Sequence, residues 1–377
     1  MITRRGIIGP AQWILSVVGV GCAVAAAAAD PSGAGSAAGR TWSPFVLVSG
    51  LVLIGSAAER DGIFAGIGRR LGSIRAGTAI FEVSACALIA LVTATLNLDT
   101  AVVFLTPVLV AASRPRGLSE QPLLYASILV ANASSLFLPG SNLTNLIVVG
   151  HEAGSSFLAR LWPSAVAASV TTVAVVLLWT RVGRRPAPVL QLPDGPPFRV
   201  GPSGLAVVLS LVAVLVLPDA AIPVFVMALA VSAWQIRQRG VSARRLLDVV
   251  AVPVLVGLFG LAVGAGTLGH IWSGPNQLLA HANSVGTAAL AAALALCINN
   301  LPAAALLAGH HPVNTSALLI GLNAGPNLFP TGSLAWFLWW RAARQAGASP
   351  SWRRAVLMGL VVVPISMGAA LLALRLR

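Results

Sequence analysis

The stretch "TLNLDTAVVFLTP" (95–107) sets Asn97, Asp99 and Thr100 inside an apolar run whose flanking charges are Glu82 and Arg114. A carboxylate at membrane depth is costly to keep, so it marks a functional position by default. Such a group can take up and release a proton, or hold a cation. Its plainer role is a neutral acid hydrogen-bonded at a helix end. The amide of Asn97 and the hydroxyl of Thr100 add a donor and acceptor set suited to a small polar solute.

Three further polar breaks interrupt apolar segments. The first is Pro139, Gly140, Ser141, Asn142, Leu143, Thr144 and Asn145, preceded by Asn132, Ser134 and Ser135. The second is Asn299, Asn300, Leu301 and Pro302. The third runs from Asn323 through Gly325, Pro326 and Asn327 to Pro330, Thr331, Gly332 and Ser333. Pro and Gly break helices. Unwound backbone at membrane depth is tolerated only when buried in protein or lining a cavity. Side-chain amides and hydroxyls there either cap helix ends or meet a ligand. Four such breaks point to one shared binding site, composed of Asn97, Asp99, Thr100, Ser141, Asn142, Thr144, Asn145, Asn299, Asn300, Asn327, Thr331 and Ser333. Asp99 is the proton-coupling candidate among them. Glu82 is a weaker candidate lower on the same arm. Glu59 and Asp61 flank Arg60 at a span end and read as a solvated cluster, and His310 with His311 reads as an external loop.

These residues need elements to hold them, and composition says which. The chain has 377 residues, 57% hydrophobic and 9% charged, with mean hydropathy +0.88. A soluble domain carries about 25% charged residues. Apolar runs of about 20 residues recur without strict alternation, so the fold is an all-α polytopic membrane protein and not a β-barrel. The formal charge is +14, carried entirely by arginines. They sit in short loops between apolar runs, which is the positive-inside pattern and excludes a nucleic-acid reading. Cys22, Cys86 and Cys297 lie singly in apolar runs and form neither a disulfide framework nor a metal spacing. They read as small packing residues, though Cys297 is a tempting thiol beside Asn299. The run 7–29 after Arg4 and Arg5 resembles a secretory signal, but it is over-long for one and is read as a retained first span.

The spacing predicts nine crossings near 7–29, 43–60, 122–150, 162–180, 202–217, 220–236, 247–269, 315–340 and 355–375, with helical hairpins at 77–113 and 283–311. With a cytoplasmic N-terminus and both hairpins returning to their own side, 20 of the 24 arginines fall inside. Arg40, Arg160, Arg375 and Arg377 fall outside. Making either hairpin a full crossing would spoil this asymmetry. Tryptophans 42, 162, 179, 234, 272, 339, 340 and 352 fall near span ends, as an interfacial belt requires.

The basic, Pro-rich stretch 181–201 reads as a cytoplasmic linker dividing two weak repeats. "LNLDTAVVFLTP" (96–107) echoes "INNLPAAALLAG" (298–309), and "LPGSNLTNLIVV" (138–149) echoes "NAGPNLFPTGSLAW" (323–336). The expected organisation is a first span and external loop (1–42), repeat 1 (43–180), the linker (181–201), two connecting spans (202–246) and repeat 2 (247–377). By the crossing count the second repeat is inverted, each repeat holding a re-entrant hairpin and a discontinuous helix. That arrangement marks secondary transporters. Sequence signatures of a serine hydrolase, a P-loop or a zinc protease are absent, so the chain reads as a non-enzyme with no cofactor, driven by a gradient or a partner.

At this point the residues resemble a family. "NNLPAAALLAGHHPVNTSALLIGLNAGPNLFPTGSLAWFLWW" (299–340) is similar to the C-terminal signature of the ArsB arsenite/antimonite efflux permeases. "LDTAVVFLTPVLV" (98–110) looks like that family's first hairpin, and "SNLTN" (141–145) like its S-N-L-x-N element. The family's first tip reads N-D-G-A, where this chain has Leu98, Asp99, Thr100 and Ala101. Membership of the wider ion-transporter superfamily, with citrate and divalent-anion carriers and NhaD-type antiporters, implies elevator-like movement around one site. It also implies Asp99, Asn142, Asn145, Asn300 and Asn327 as site residues. A homodimer is compatible with this reading, and an ATPase partner is implied by the family alone.

The expected function is therefore proton-coupled arsenite/antimonite efflux across the plasma membrane. The alternatives are a citrate or other anion carrier and a sodium/proton antiporter. Absence of a mid-span arginine counts against multiply charged anions. The partners are a small-molecule or ion substrate and the bilayer. The arginine count makes one direct prediction: a topology reporter fused at Arg377 reads as external, and a cytoplasmic signal would break the crossing count.

Overall fold

The computed structural model describes residues 10–73, 77–150, 152–181, 201–308 and 314–376. Most of the linker, the N-terminal arginines, Arg377, His310 and His311 lie outside the described residues. Helix α1 spans Pro10–Ala29 and α2 spans Pro31–Arg60. Only Asp30 separates them. Its carboxylate caps α2 through the Gly33 amide at 3.0 Å, with Pro31 in the first turn. The Gly33 amide, the Ser32 hydroxyl and His270 hold the Asp30 carboxyl down to about 2. The stretch expected as an external loop after residue 29 is thus helical. Its small residues Gly33, Ala34 and Ala37 are buried, and a loop there would leave their backbone groups unpaired.

Helix α3 (Ile63–Gly72) follows a turn at Gly62, whose positive φ of 74° suits glycine. Helices α4 (Thr78–Thr95) and α5 (Leu98–Ser113) form the first hairpin. Next come α6 (Gln121–Ser134), a 3₁₀ turn (Pro139–Ser141), α7 (Leu143–Val149) and α8 (Gly154–Arg181). Helices α9 (Pro202–Val216) and α10 (Ala221–Arg239) then connect the halves. The second half begins with α11 (Ala243–Val250), α12 (Val252–Ile271) and α13 (Gly274–His281). Helices α14 (Ser284–Ile298) and α15 (Asn300–Leu307) form the second hairpin. Helix α16 (Thr315–Ala324), 3₁₀ turns at Gly325–Leu328 and Pro330–Gly332, α17 (Ala335–Gln345) and α18 (Trp352–Arg375) complete it. The two halves share one element order: long helix, short helix, hairpin, interrupted helix, long helix. Among the described residues seven helices are long and apolar enough to cross a membrane, α4 and α5 included. Length alone would let those two cross, so their reading as hairpin arms rests on the arginines.

Close backbone approaches set the layout. Glycines on α12 admit α1: a Cβ at Gly257 would lie 2.6 Å from the Leu15 carbonyl oxygen, and one at Gly260 would lie 2.1 Å from that of Gly19. Small residues at such contacts are how apolar helices associate in lipid, where burial supplies no drive. Ser16 adds a hydroxyl bond to the Pro253 carbonyl. In the first half, Gly55 of α2 admits the Thr100 side chain of the hairpin, whose Cγ2 would lie 2.4 Å from an added Cβ. The cores interlock, since Trp336 and Trp339 of the second half sit in the apolar cluster of α2, α4, α5 and α6.

Three further sequence expectations need correction. Asp61 is not part of a solvated cluster: its side chain is fully buried against Arg239 Nη1 at 2.6 Å and accepts from the Ser203 hydroxyl. Arg60 donates to Gln235 Oε1 at 2.7 Å, while Glu59 is exposed. The cluster ties the end of α2 to α9 and α10, because those helices bring in partners that lie over 140 residues away in sequence. Trp339 is not interfacial either. It is fully buried, donating Nε1 to the Leu124 carbonyl at 2.7 Å. Trp42, Trp162, Trp179 and Trp272 are exposed, but only Trp179 and Trp272 stand at helix ends. Of the cysteines, Cys86 is buried but Cys297 is exposed, so packing does not account for it.

Gly260→Leu is expected to force α1 off α12 and to cost about 1–3 kcal/mol, as overpacking does. A lowered unfolding midpoint in detergent checks this; an unchanged midpoint would mean that α1 contributes nothing to the fold.

Candidate functional site

The break between α6 and α7 has a defined backbone. Leu138 is extended, residues 139–141 make a 3₁₀ turn, and Asn142 is extended again before α7 starts. Asn142 caps α7, its Oδ1 accepting from the Thr144 amide at 3.1 Å. Ser141 reaches across to the first hairpin, donating to the Ala94 carbonyl at 3.4 Å.

One residue from the other half locks this break. Asn323, at the end of α16, accepts at Oδ1 from Asn142 Nδ2 at 2.8 Å and from the Ser135 hydroxyl at 2.5 Å. Its Nδ2 donates to Asn145 Oδ1 at 2.7 Å and to the Leu319 carbonyl at 2.8 Å. Asn145 Nδ2 in turn donates to the Ser135 carbonyl at 2.7 Å and the Leu138 carbonyl at 3.3 Å, which satisfies backbone freed by the break. Ser135, Asn145 and Asn323 are fully buried and Asn142 nearly so. Asn142 and Asn145, both expected binding residues, therefore spend their amides on a clasp between the interrupted helices. Asn323 and Ser135 were visible in the sequence as members of the breaks. Their positions just before each break were the available signal that they hold it together.

The second half repeats the local design. Phe329 and Ser333 are extended around the 330–332 turn, as Leu138 and Asn142 are around theirs. Ser333 Oγ accepts from the Ala335 amide at 3.2 Å just before α17, as Asn142 Oδ1 accepts from the Thr144 amide at α7. Trp336 donates Nε1 to the carbonyl ten residues back, at Pro326 (2.8 Å), just as Asn145 does to Ser135. In this register Asn132 matches Asn323. Thr331 donates to the Leu296 carbonyl at 2.7 Å, tying break to hairpin as Ser141 does at Ala94. Both hairpin tips carry a capping asparagine: Asn97 accepts from the Thr100 amide at 2.6 Å, and Asn299 from the Leu301 amide at 3.4 Å. Asn299 also donates to the Thr331 carbonyl at 3.2 Å.

The halves differ in what is left unpaired. At the first tip, Asn97 Nδ2 and Thr100 Oγ1 are buried without a partner among the described residues, as is Thr144 Oγ1 at the start of α7. Asp99 is half-buried, with no hydrogen bond or ion pair among the described residues. Asn132 Oδ1 and Asn327 Oδ1 are also buried and unpaired, Asn327 spending its Nδ2 on the Leu129 carbonyl at 2.9 Å. Asn300 is buried in the first turn of α15. Ile298 and Thr331 are exposed at the second tip, so Asn299 and Thr331 stand on an open face while Asn97 and Thr100 are enclosed. No group of three His, Cys, Asp or Glu among the described residues could hold a metal. The constellation offers an unpaired carboxylate, an amide donor and hydroxyls, without a guanidinium; chemically it can hydrogen-bond a small polar solute and exchange a proton.

Asn323→Ala is expected to leave Asn142 Nδ2 and Asn145 Oδ1 buried and unpaired, at about 1–3 kcal/mol for each. Asn132→Ala, at the matching position, removes an already unpaired oxygen and is expected to cost much less. Unfolding midpoints of the two variants in detergent check this; equal losses would mean that the clasp has no special weight.

Comparison with known proteins fits this architecture. Arsenical pump membrane proteins of Escherichia coli and Yersinia enterocolitica are each 28% identical to this chain, over 321 and 320 residues. Each alignment covers 74% of this chain and 73% of the relative. Among solved structures, the chain is similar in fold to the Alcanivorax borkumensis YdaH transporter. The TM-score there is 0.53 and the identity 14%, over 90% of this chain and 87% of that one. A family model described as a citrate transporter matches residues 4–338. With that match spanning most of its length, this multi-pass membrane chain belongs to the citrate transporter (CitMHS) family of transport proteins.

Proposed function

We propose that the protein is a secondary active transporter that moves arsenite or antimonite out of the cell in exchange for protons, with its N-terminus in the cytoplasm and its C-terminus outside. The observation that carries this reading is the first hairpin tip. Among the described residues Asp99 has no partner there, and Asn97 Nδ2 and Thr100 Oγ1 lie within the same helical turn, buried and unpaired. Arsenite at neutral pH is an uncharged trihydroxide, a solute that donates and accepts hydrogen bonds without needing a counter-charge. The carboxylate is then free to carry the exchanged proton. The names of the relatives support the same solute.

The two interrupted helices and two hairpins would form inverted repeats, so that hairpins enter from opposite faces and meet one site. The matched backbone and hydrogen bonds of the two breaks support a repeat. Asn142, Asn145 and Asn323 would set the distance between the interrupted helices. Asn97, Asp99, Thr100 and Thr144 would face the solute. Ser141, Asn299, Asn300, Asn327, Thr331 and Ser333 would complete the frame.

A second reading, carriage of citrate or a similar anion, is favoured by the family's description. It would need positive charge or helix N-termini to balance several carboxylates. No arginine stands within the breaks or hairpin tips.

Everted vesicles with an imposed proton gradient separate the readings. Arsenite, citrate and sodium are offered in turn, and arsenite accumulation is expected. Accumulation of citrate alone would overturn the efflux assignment. Asp99→Asn is expected to abolish gradient-driven accumulation; full activity in that variant would remove Asp99 from coupling.

A further inference from the structure

The first break has a second, outward-looking side. Between α2, the α6–α7 break and the end of α9 lies a cavity of about 100 Å³. Its lining includes Arg40, Glu152 and Asp219, a concentration of charge in a chain only 9% charged. Each acid is fixed in place. Asp219 accepts from the Ser43 hydroxyl and the Ala221 amide, both at 3.0 Å. Glu152 receives Arg160 on both oxygens, and the same guanidinium donates to Ser316 of α16 at 2.8 Å. The opposite wall is the break itself, through Pro139 and Leu146.

A thin apolar contact separates this cavity from the polar tip. Gly140 lies against Val214 of α9 and Leu47 of α2; a Cβ there would sit 3.3 Å from Val214 Cγ1 and 3.8 Å from Leu47 Cδ2. The next residue, Ser141, already touches the first hairpin at Ala94. We infer that the cavity between α2, the first break and α9 is a vestibule of the transport path, gated by Gly140 against Leu47 and Val214, and that it admits small uncharged polar solutes. The mixed signs of its lining carry the last point. With Arg160 paired to Glu152, two arginines balance the two acids and give a multiply charged anion no net attraction, whereas a polar neutral solute meets donors and acceptors of both kinds. This inference rests on the transport reading above, but on neither its substrate nor its coupling ion.

The test uses the full chain with Cys22, Cys86 and Cys297 replaced, carrying Gly39→Cys. Gly39 lines the cavity and an added Cβ there meets nothing within 4 Å, so the thiol fits. Vesicles of both orientations are treated with a charged, membrane-impermeant methanethiosulfonate. Transport is then read with whichever of arsenite, citrate or sodium the unlabelled variant accumulates. The expected result is labelling from one face only, with transport falling to background. Labelling that leaves transport intact, or no labelling from either face, would overturn the vestibule. Citrate transport blocked by the label would keep the path and overturn the uncharged-solute class; it would also sink the arsenite assignment separately. For the gate, Gly140→Ala is expected to depress transport, and Val214→Ala added to it to restore transport. Failure of that rescue in a double variant with the parental unfolding midpoint would overturn the gate.

Discussion

Everything in this molecule answers to one requirement: a peptide group inside an apolar fold must find a partner. Interrupting a helix frees several such groups at once, and the first break frees carbonyls at Ser135 and Leu138. Asn145 takes both, and Asn323 holds Asn145. The side-chain amide is suited to this, since it donates and accepts at the same end. A hydroxyl could not replace Asn323, which makes two donations while accepting at its oxygen. The break can persist because a residue 178 positions away completes its hydrogen bonding. The interrupted helices are therefore one unit, and no account of the first break can leave out the second half.

The same requirement explains which expectations could be read from the chain. Helix positions were legible because apolar length and arginine placement are local properties. So were the breaks, since Pro and Gly announce them wherever the chain folds. The clasp was not, because pairing Asn323 with Asn142 and Asn145 depends on how α16 crosses the first break. Asp61 was misread for a similar reason. Beside Arg60 at a helix end it looks solvated, until α9 and α10 supply Ser203 and Arg239 and bury it. Trp339 lies near a chain of arginines, as a belt residue should. Yet it is the ring that fills the first-half core against Tyr125 and Trp336. The binding set was legible as a list of residue types but not as a division of labour.

That division follows from the match between halves. Asn145 and Trp336 occupy equivalent places and perform the same bond to a carbonyl ten residues back. Trp336 does so with a ring that also fills space, and Asn145 with an amide that also reaches Asn323. At the tips, Asp99 stands opposite Leu301, and Thr100 opposite Pro302. Proline cannot donate and suits the first turn of α15, while Thr100 spends its amide on Asn97 and keeps its hydroxyl unpaired. At these two positions the second tip carries apolar residues where the first carries Asp99 and Thr100.

A strictly symmetric pair of tips would offer a solute the same surroundings from either side. Here Asn97 and Thr100 are buried with unpaired atoms, while at the other tip Asn299 and Thr331 are hydrogen-bonded and less buried. Thr331 and Asn299 bond to each other's hairpin and break, so their exposure offers little that is free. Asn97 and Thr100 are buried with unused capacity, Gly55 of α2 packing on the Thr100 side chain, and Asp99 beside them is half-buried. Unpaired polar groups in an enclosed site are expensive unless something visits them. The unpaired Asn97 and Thr100 side chains, with Asp99 beside them, make the first tip, and not the second, the place where a polar ligand would gain most.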